Sequence, residues 1–274
     1  MKPLLALLCL ASVLLAAAPP KGEPTNAKEA AAQVAAKKAA QDKIIDEKYQ
    51  AWVVTLSPEA QAWEKVLQSQ LGNFYLPLHK RDKVASKSNA WDFVQDDPKL
   101  PRVLLIGDSV SRGYTQPTRV ALAGKANVHR APANCGPTAS GLKNLDVWLG
   151  AGKWDVIHFN FGIHDRATPA ADYVKRLEEI VTRLEKTGAK LIWASTTPIP
   201  DNPAQKQTAQ SVVEKNALAA EVMAKHGIPT DDLFGAMTPR LKEFQPPLDV
   251  HFTGAGYDFL GAKVGESVLS RLAR

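Results

Sequence analysis

The stretch Arg102–Tyr114, which reads RVLLIGDSVSRGY, decides the fold of this chain. Its first part, Arg102–Ile106, is the kind of continuous apolar run that forms a strand buried on both faces of a parallel sheet. The run stops at Gly107-Asp108-Ser109, and each of these residue types favours turns. An ordinary turn is therefore the first interpretation, and a larger role for Ser109 depends on the partners that the rest of the chain supplies.

Strands and helices alternate along the chain after Pro101. We predict strands at Arg102–Ile106, Asn127–Arg130, Trp154–Phe161 and Ala189–Thr196, and helices at Ala171–Lys186, Lys206–His226 and Thr253–Arg274. This alternation predicts a parallel sheet covered by helices. Ligands of such sheets bind beyond the carboxyl ends of the strands. Ser109, directly past one such end, thus lies where chemistry is expected.

Composition narrows the class of protein. The 274 residues are 45% hydrophobic and 23% charged, which is typical of a globular chain. The net charge of +6 is modest and scattered, so we expect no nucleic-acid partner. No zinc-type Cys/His cluster, Walker loop or Gly-x-Gly-x-x-Gly motif is present in the sequence.

The first 18 residues predict export. A basic start at Met1-Lys2, an apolar run over Leu4–Leu15 and small residues up to Ala18 are typical of a signal peptide, and the run is too short to span a bilayer. A retained anchor is the alternative. After removal we expect a periplasmic or extracellular protein with no membrane association. Its single remaining cysteine, Cys135, could form no internal disulfide.

Three further segments follow the predicted signal peptide. Residues 19–48 are rich in Ala and Lys and indicate a solvated helical spacer or a disordered leader, with a partner-binding helix as the sharper alternative. Residues 49–100 predict an N-terminal helical extension packed on the main domain, including a helix that Ser57 caps and Gly72 ends. Residues 101–274 form the main α/β domain.

A serine hydroxyl needs a base to become a nucleophile, and that base is usually a histidine oriented by a carboxylate. The late segment LDVHFTGAGY places Asp249 two residues before His251, on a loop before the final predicted helix. Asp249 could hold the imidazole while its other nitrogen faces Ser109. A surface turn after Pro246-Pro247 is the alternative.

Two other segments could supply oxyanion donors. In APANCGPTASG the backbone N–H of Gly136 could approach a ligand closely, and FNFGIHD puts Asn160 and His164 beside the same sheet edge. Each of these residues taken alone is more often structural.

Together, the four segments resemble the blocks of the SGNH or GDSL hydrolase family, in the same order, over Pro101–Arg274. The resemblance implies a flavodoxin-like α/β/α sandwich with a central parallel sheet. It also implies that Ser109 is the nucleophile and lends its own N–H to the oxyanion hole. Gly136 matches the oxyanion glycine of the family and His251 matches the catalytic histidine.

The sequence departs from the family pattern at two positions. His164 stands where the G-x-N-D block has asparagine, so the third oxyanion donor is either the imidazole of His164 or the nearby amide of Asn160. Leu248 stands where the D-x-x-H block has aspartate. Only Asp249 can then take the part of the triad acid.

The resemblance implies an exported serine esterase that needs no metal or cofactor. We expect a small-molecule or polysaccharide ester as substrate, with a short acyl group and most notably an acetyl group on carbohydrate. Arg166 is a candidate for binding an anionic group such as a uronate or sulfate, with a surface ion pair as the alternative. Arg112 and Arg119 are placed near the same mouth, Thr196–Pro203 is a candidate substrate wall, and Asp165 is expected to make a structural hydrogen bond.

Two other functions stay open. A metal-dependent phosphoesterase would use imidazole and carboxylate ligands, although their spacing is not recognisable as a metal motif; the candidates are Asp108, His158, His164, Asp165 and His251. A non-catalytic carbohydrate-binding module on the same fold is the other alternative. The absence of a G-x-S-x-G elbow around Ser109 disfavours a lipase-type α/β-hydrolase. The oligomeric state is left open.

Overall fold

The computed structural model describes residues 24–205 and 207–273. The predicted signal peptide at residues 1–18 lies outside this part of the chain. The helices are α1 (Pro24–Val53), α2 (Pro58–Gln70), α3 (Gly72–Val84), α4 (Ser109–Ala121), α5 (Thr138–Leu149), α6 (Ala170–Glu185), α7 (Ala209–Lys225), α8 (Leu233–Met237), α9 (Leu241–Phe244) and α10 (Gly254–Leu272). The strands are β1 (Arg102–Ile106), β2 (Asn127–Arg130), β3 (Val156–Phe159), β4 (Lys190–Ala194) and β5 (Thr230–Asp231).

The five strands form one parallel sheet in the order β2-β1-β3-β4-β5. In its register Leu104 of β1 lies opposite His129 of β2 and Ile157 of β3. Two apolar layers cover the sheet, one built with α5, α6 and α7 and the other with α4 and α10. This confirms the predicted flavodoxin-like α/β/α sandwich.

The strand order reverses beside β1, and this reversal places the site. The chain passes from β1 outward to β2 and then returns to β3 on the other side. At such a switch point the loops beyond the carboxyl ends of the strands diverge and leave a crevice. The loop after β1 carries Ser109 and the loop after β3 carries Asn160 and His164.

Close packing of α10 on α4 brings two distant parts of the chain together. A Cβ atom added to Gly261 would lie 2.3 Å from the Cβ of Pro117, so the two helices can approach this closely only because that position is glycine. The facing pairs are Tyr257 with Gly113, Gly261 with Pro117, and Gly265 with Ala121. Their constant spacing shows that the helices run parallel, so the start of α10 lies beside the start of α4.

The N-terminal extension packs on the edge of the sheet. As predicted, Ser57 caps α2 by accepting the Ala60 N–H at 3.3 Å, and Gly72, with φ of +64°, ends it. The following segment reaches the edge strand, where Asp96 pairs with the ring of His129 at 2.6 Å. The Asp96–His129 contact joins the segment after α3 to β2.

Residues up to Ile44 form a unit distinct from the one that begins at Ile45. Residues 24–44 of this first unit are helical, and those from residue 28 onward are almost all exposed. Across residues 24–205 and 207–273, none of the helices combines the length and apolar character needed to cross a membrane.

Candidate active site

The nucleophile turn joins β1 to α4. Asp108 caps α4, because its carboxylate accepts the Val110 N–H at 2.8 Å. Such a cap stabilises a helix start by about 1 kcal/mol. Ser109 is the first residue of α4 and its exposed fraction is 8%. The turn therefore holds this hydroxyl at the floor of the crevice, at the positive end of a helix.

Ser109, His251 and Asp249 form a chain of hydrogen bonds. The distance from His251 Nε2 to Ser109 Oγ is 2.8 Å, and that from His251 Nδ1 to Asp249 Oδ1 is also 2.8 Å. The backbone N–H of His251 donates to the same carboxylate at 3.0 Å. That backbone bond is the largest cause, and the ring contact a further one, of a pKa of Asp249 below its usual value. The carboxylate is therefore held ionised beside the imidazole.

The loop before α10 shows how an aspartate only two residues before the histidine can contact its ring. Because Asp249 accepts the N–H of the residue two positions on, it forms an Asx-type turn that folds its carboxylate back onto the ring of His251. Leu248, just before it, has φ of +59°, a strained left-handed conformation for a non-glycine residue. No sequence signal pointed to this turn, because leucine rarely adopts it.

Neighbouring loops hold the histidine loop in place. Val250 packs in a small apolar cluster with Ile163, of the G-x-H-D segment, and with Ile199. Asn202 Nδ2 also donates to the Leu248 carbonyl at 3.5 Å. The loop Thr196–Pro203 therefore supports one side of the site.

The loop after β2 supplies a second group at the crevice. The Cys135 N–H donates to the Gly107 carbonyl at 3.1 Å and so fastens this loop to the nucleophile turn. The next residue, Gly136, has φ of +66°, a conformation that glycine adopts without strain. Within the described residues, neither the Ser109 N–H nor the Gly136 N–H has an acceptor.

Asn160 and His164 lie in different surroundings. The Asn160 amide donates to the Ala194 carbonyl at 2.8 Å and to Thr196 Oγ1 at 3.0 Å, so both of its hydrogens are used at the end of β4. This arrangement contradicts the alternative in which Asn160 supplies the third oxyanion donor. His164 is exposed, and its ring has no hydrogen-bond partner in the part of the chain that the structure describes.

The two residues that follow His164, Asp165 and Arg166, differ in their contacts. Asp165 is buried and accepts both the N–H and the hydroxyl of Thr138, at 2.7 and 2.8 Å, which confirms the expected structural hydrogen bond. Arg166 is partly buried. Burial lowers its pKa and the Asp108 carboxylate opposes that shift, so Arg166 lies within electrostatic reach of the nucleophile turn.

Of the two other arginines placed near the mouth, one was wrongly predicted. Arg119 donates to the carbonyls of Val128, at 3.0 Å, and Asn89, at 3.3 Å, and so ties α4 to the extension instead of facing the crevice. Its position three turns along α4 gave no sign of this. The guanidinium of Arg112 lies 5.5 Å from the ring centre of Tyr75, another residue of the extension.

The five residues of the phosphoesterase alternative do not come together. His158 is buried and pairs with Asp231 at 2.9 Å, on the helix-covered face of the sheet. Asp165 is bound to Thr138, and His251 to Asp249 and Ser109. Among residues 24–205 and 207–273, no three His, Cys, Asp or Glu side chains are grouped so that they could hold a metal ion.

Solved structures that resemble this fold include a lipase/acylhydrolase, an acetylxylan esterase and a putative SGNH hydrolase. The lipase/acylhydrolase from Enterococcus faecalis has a TM-score of 0.56 at 24% identity, covering 62% of this chain and 96% of that one. The acetylxylan esterase Axe2 from Geobacillus stearothermophilus has a TM-score of 0.53 at 15% identity, covering 61% and 94%. A putative SGNH hydrolase from Slackia heliotrinireducens has a TM-score of 0.52 at 17% identity, covering 62% and 99%. A comparison with curated proteins gave no match.

Fold and sequence together define the class of this protein as an SGNH-type α/β hydrolase. The GDSL-like Lipase/Acylhydrolase family model matches residues 105–259, more than half of the chain. The chain belongs to this family and is an ester-hydrolysing serine hydrolase. The non-catalytic binding module is therefore the wrong alternative.

Proposed function

We propose that this protein is an exported serine esterase that removes short acyl groups, chiefly acetyl, from a carbohydrate. The observation that carries the proposal is the chain of 2.8 Å contacts from Ser109 through His251 to Asp249. A hydroxyl placed against one imidazole nitrogen, with a carboxylate on the other, is the arrangement that makes serine a nucleophile at neutral pH.

Acylation begins when Ser109 Oγ attacks the ester carbonyl carbon and His251 Nε2 takes its proton. The tetrahedral oxyanion then receives hydrogen bonds from the Ser109 and Gly136 N–H groups, with the exposed ring of His164 as the third donor. Collapse of this intermediate breaks the bond to the alcohol oxygen, which leaves with the proton from His251. Asp249 stabilises the imidazolium throughout.

Deacylation repeats these steps with water. His251 accepts a proton from the water as its oxygen attacks the acyl carbon, and the second tetrahedral intermediate then releases the acid. The proton returns from His251 to Ser109 Oγ, which restores the enzyme. Every proton transfer uses a group already in place, so the cycle needs no metal or cofactor.

An open site supports a bulky alcohol as the leaving group. The side chains of His251 and Asp249 are 39% and 48% exposed, so the base is reachable from solvent. Two of the structures with a similar fold are acetylxylan esterases, which supports acetylated carbohydrate as the substrate class. Arg166, partly exposed and near the nucleophile turn, is proposed to bind an anionic group on that carbohydrate.

Export is proposed from the sequence. The basic start and apolar run within residues 1–18 have the pattern of a cleaved signal peptide. Esterified polysaccharides are found outside the cytoplasmic membrane, which matches this location. Detection of the processed chain in a periplasmic or culture fraction would test it, whereas an unprocessed chain among cytosolic proteins would contradict it.

The experiment that tests the activity is hydrolysis of p-nitrophenyl acetate by the chain without its predicted signal peptide, residues 19–274, and by its Ser109→Ala variant, with and without EDTA. We expect the variant to lose about 10⁴-fold or more in kcat, since the nucleophile acts as a unit with its base. EDTA should change nothing. Equal rates for the two proteins would refute the proposal, and loss of activity in EDTA would favour metal-dependent hydrolysis.

The substrate class is tested by acetate release from acetylated xylo-oligosaccharides, with p-nitrophenyl octanoate as the long-chain comparison. We expect faster turnover of the acetylated sugar. The Arg166→Gln variant separates the second part of the proposal, because it should raise KM for an oligosaccharide bearing a uronate and leave KM for the neutral one unchanged. Equal effects on both substrates would remove Arg166 from substrate binding.

A further inference from the structure

A buried arginine lies beneath the nucleophile turn. Arg130 is the last residue of the edge strand β2 and its exposed fraction is 1%. Its Nη2 donates to two successive backbone carbonyls, that of Gly107 at 3.0 Å and that of Asp108 at 2.9 Å. Its Nη1 donates to the hydroxyl of Ser111 in the first turn of α4. One side chain therefore holds three points of the segment that presents Ser109.

Among the residues that the structure describes, no carboxylate is hydrogen-bonded to the guanidinium of Arg130. Its hydrogen-bond partners are two carbonyls and a hydroxyl, and its guanidinium lies 5.8 Å from the ring centre of Trp91. The Asp108 carboxylate acts on it through space while capping α4. An arginine keeps its charge even when buried, and a buried charge without a paired carboxylate is costly. The three hydrogen bonds to the nucleophile turn offset part of this cost.

The peptide group between Asp108 and Ser109 connects this charge to the reaction. The carbonyl that accepts from Arg130 and the N–H of Ser109 are the two ends of one peptide unit. A charged donor on the oxygen draws electron density from the unit, and the N–H becomes a stronger donor through the same cooperative polarisation that strengthens chains of hydrogen bonds. The N-terminal end of α4 adds a field of the same sign.

We propose that Arg130 is a positioning residue for catalysis: its guanidinium fixes the Gly107–Ser109 turn and polarises the Asp108–Ser109 peptide, so that the Ser109 N–H binds the oxyanion more strongly. This inference rests on the proposed function, because it explains what makes the Ser109 N–H a strong donor in the proposed oxyanion hole. The effect belongs to the transition state, where charge develops on the carbonyl oxygen, and not to the bound ester.

The test compares Arg130→Lys and Arg130→Met with the parent protein. In Arg130→Met we expect kcat for p-nitrophenyl acetate to fall by about 10- to 100-fold at unchanged KM, less than the roughly 10²–10³-fold loss that follows removal of an oxyanion donor itself. Arg130→Lys keeps the charge but loses the planar guanidinium that bonds to both carbonyls. Its kcat should therefore lie between that of the parent and that of Arg130→Met. Affinity for a boronic acid, which forms an anionic tetrahedral adduct with the serine, should fall in proportion to kcat.

Arg119→Met is the matched control. Arg119 is a partly buried arginine that also donates to backbone carbonyls, but those carbonyls belong to Val128 and to the extension. A merely structural loss should lower the melting temperature in both methionine variants and leave kcat and boronate affinity of the folded protein intact. Only the Arg130 variants should change kcat.

The outcomes separate this inference from the proposed function. If Ser109→Ala hydrolyses the ester as fast as the parent, the proposed function fails. If Ser109→Ala is inactive but folded Arg130→Lys and Arg130→Met keep the parent kcat and boronate affinity, only the role of Arg130 is overturned. A rise in KM at constant kcat also overturns it. If Arg130→Met does not fold, the Arg130→Lys result decides by the same criteria.

Discussion

In the described part of the chain, a hydroxyl, an imidazole and a carboxylate are in contact in the crevice and again in the N-terminal extension, and of these two sets the one in the crevice is open to a substrate. In the crevice, Ser109, His251 and Asp249 are linked through the histidine. In the N-terminal extension, the Tyr49 hydroxyl donates to Glu64 Oε2 at 2.6 Å, and Nε2 of His79 lies 2.8 Å from the same oxygen.

The order of the groups differs between the two sets. His251 stands in the middle and uses one nitrogen for the hydroxyl and the other for the carboxylate, so it can take a proton from the serine. Glu64 stands in the middle of the second set, so its hydroxyl faces a carboxylate and not the imidazole. Burial and the carboxylate hold the pKa of Tyr49 well above its usual value, which keeps the phenol protonated as a donor.

Access separates the two sets further. The side chains of His79 and Glu64 are 0% and 2% exposed, against 39% and 48% for His251 and Asp249. The buried set stabilises the extension, and the exposed set can meet a substrate. The order of contacts and the access to solvent, more than the types of residue, therefore distinguish the reactive site from the structural network.

Replacement of the two histidines gives the largest expected contrast. In His251→Gln we expect kcat for p-nitrophenyl acetate to fall by about 10⁴-fold or more, because the base is lost while the exposed loop keeps its fold. In His79→Gln we expect the melting temperature to fall and kcat to stay within about 2-fold, because a buried partner of Glu64 is lost far from the reaction. A large loss of kcat in His79→Gln would contradict a purely structural role for the buried set.

Replacement of the two carboxylates is the next test. Asp249→Asn should lower kcat by about 10- to 10³-fold, less than the roughly 10⁴-fold loss known for a buried triad aspartate, since solvent and the backbone share in orienting this exposed ring. A rate equal to that of the parent would exclude Asp249 as the triad acid, and Asp249→Glu is the control that keeps the charge.

Glu64→Gln tests whether the buried set stabilises the N-terminal extension. It replaces the charged acceptor that Tyr49 and His79 share by a neutral amide with one oxygen and one NH2 group. We therefore expect the free energy of unfolding to fall by about 1–3 kcal/mol, the cost of weakening or losing hydrogen bonds of buried polar groups. Urea denaturation measures this, and kcat of the folded variant should equal that of the parent. Unchanged stability would show that the buried network contributes little to the extension.

The smallest effect is expected at a third histidine, which has carboxylates but no hydroxyl. His226 lies between Glu178 and Glu185, with both contacts at 2.9 Å. The Glu178 contact is the largest cause of its raised pKa, and the same contact lowers the pKa of Glu178. The contribution of His226 is therefore complete below its unfolded pKa of about 6.5 and is lost as pH rises through the raised value.

The contribution of Glu178 has the opposite sign: it is present above the unfolded pKa of the carboxyl and is lost as pH falls through the lowered value. His226→Gln should consequently destabilise the protein by less than about 1 kcal/mol near pH 5.5 and by nothing near pH 9. The urea midpoint at both pH values measures this. An equal difference at both would assign the effect to packing and not to charge.

Strong local patterns made most of the sheet predictable. β1 and β2 begin and end where expected, and α6 differs by one residue at each end, because apolar runs and flanking turn residues mark these elements. β5 was missed, since Thr230–Asp231 is too short to show a period. α5 was also missed, because the start of Thr138–Leu149 is rich in small and polar residues that also favour turns.

Site residues that lie in recognisable motifs were predictable from the sequence. Residues whose roles depend on tertiary contacts were not. Ser109, Gly136 and the Asp249–His251 pair lie in recognisable segments, and the structure brings them to one crevice. Asn160 was misjudged because its partners at the end of β4 are 34 and 36 residues away in the chain. Arg130 gave no signal, since an arginine ending a strand is usually solvent-exposed, and only the closed fold buries it.

Labelling with a fluorophosphonate, followed by peptide mapping, tests the central claim most directly, because this reagent modifies a hydroxyl that a neighbouring base has activated. We expect a single adduct on Ser109 in the parent protein, strongly reduced labelling in His251→Gln, and full labelling in His79→Gln. A parent protein that is folded but unlabelled, or that carries its adduct on another residue, would contradict it.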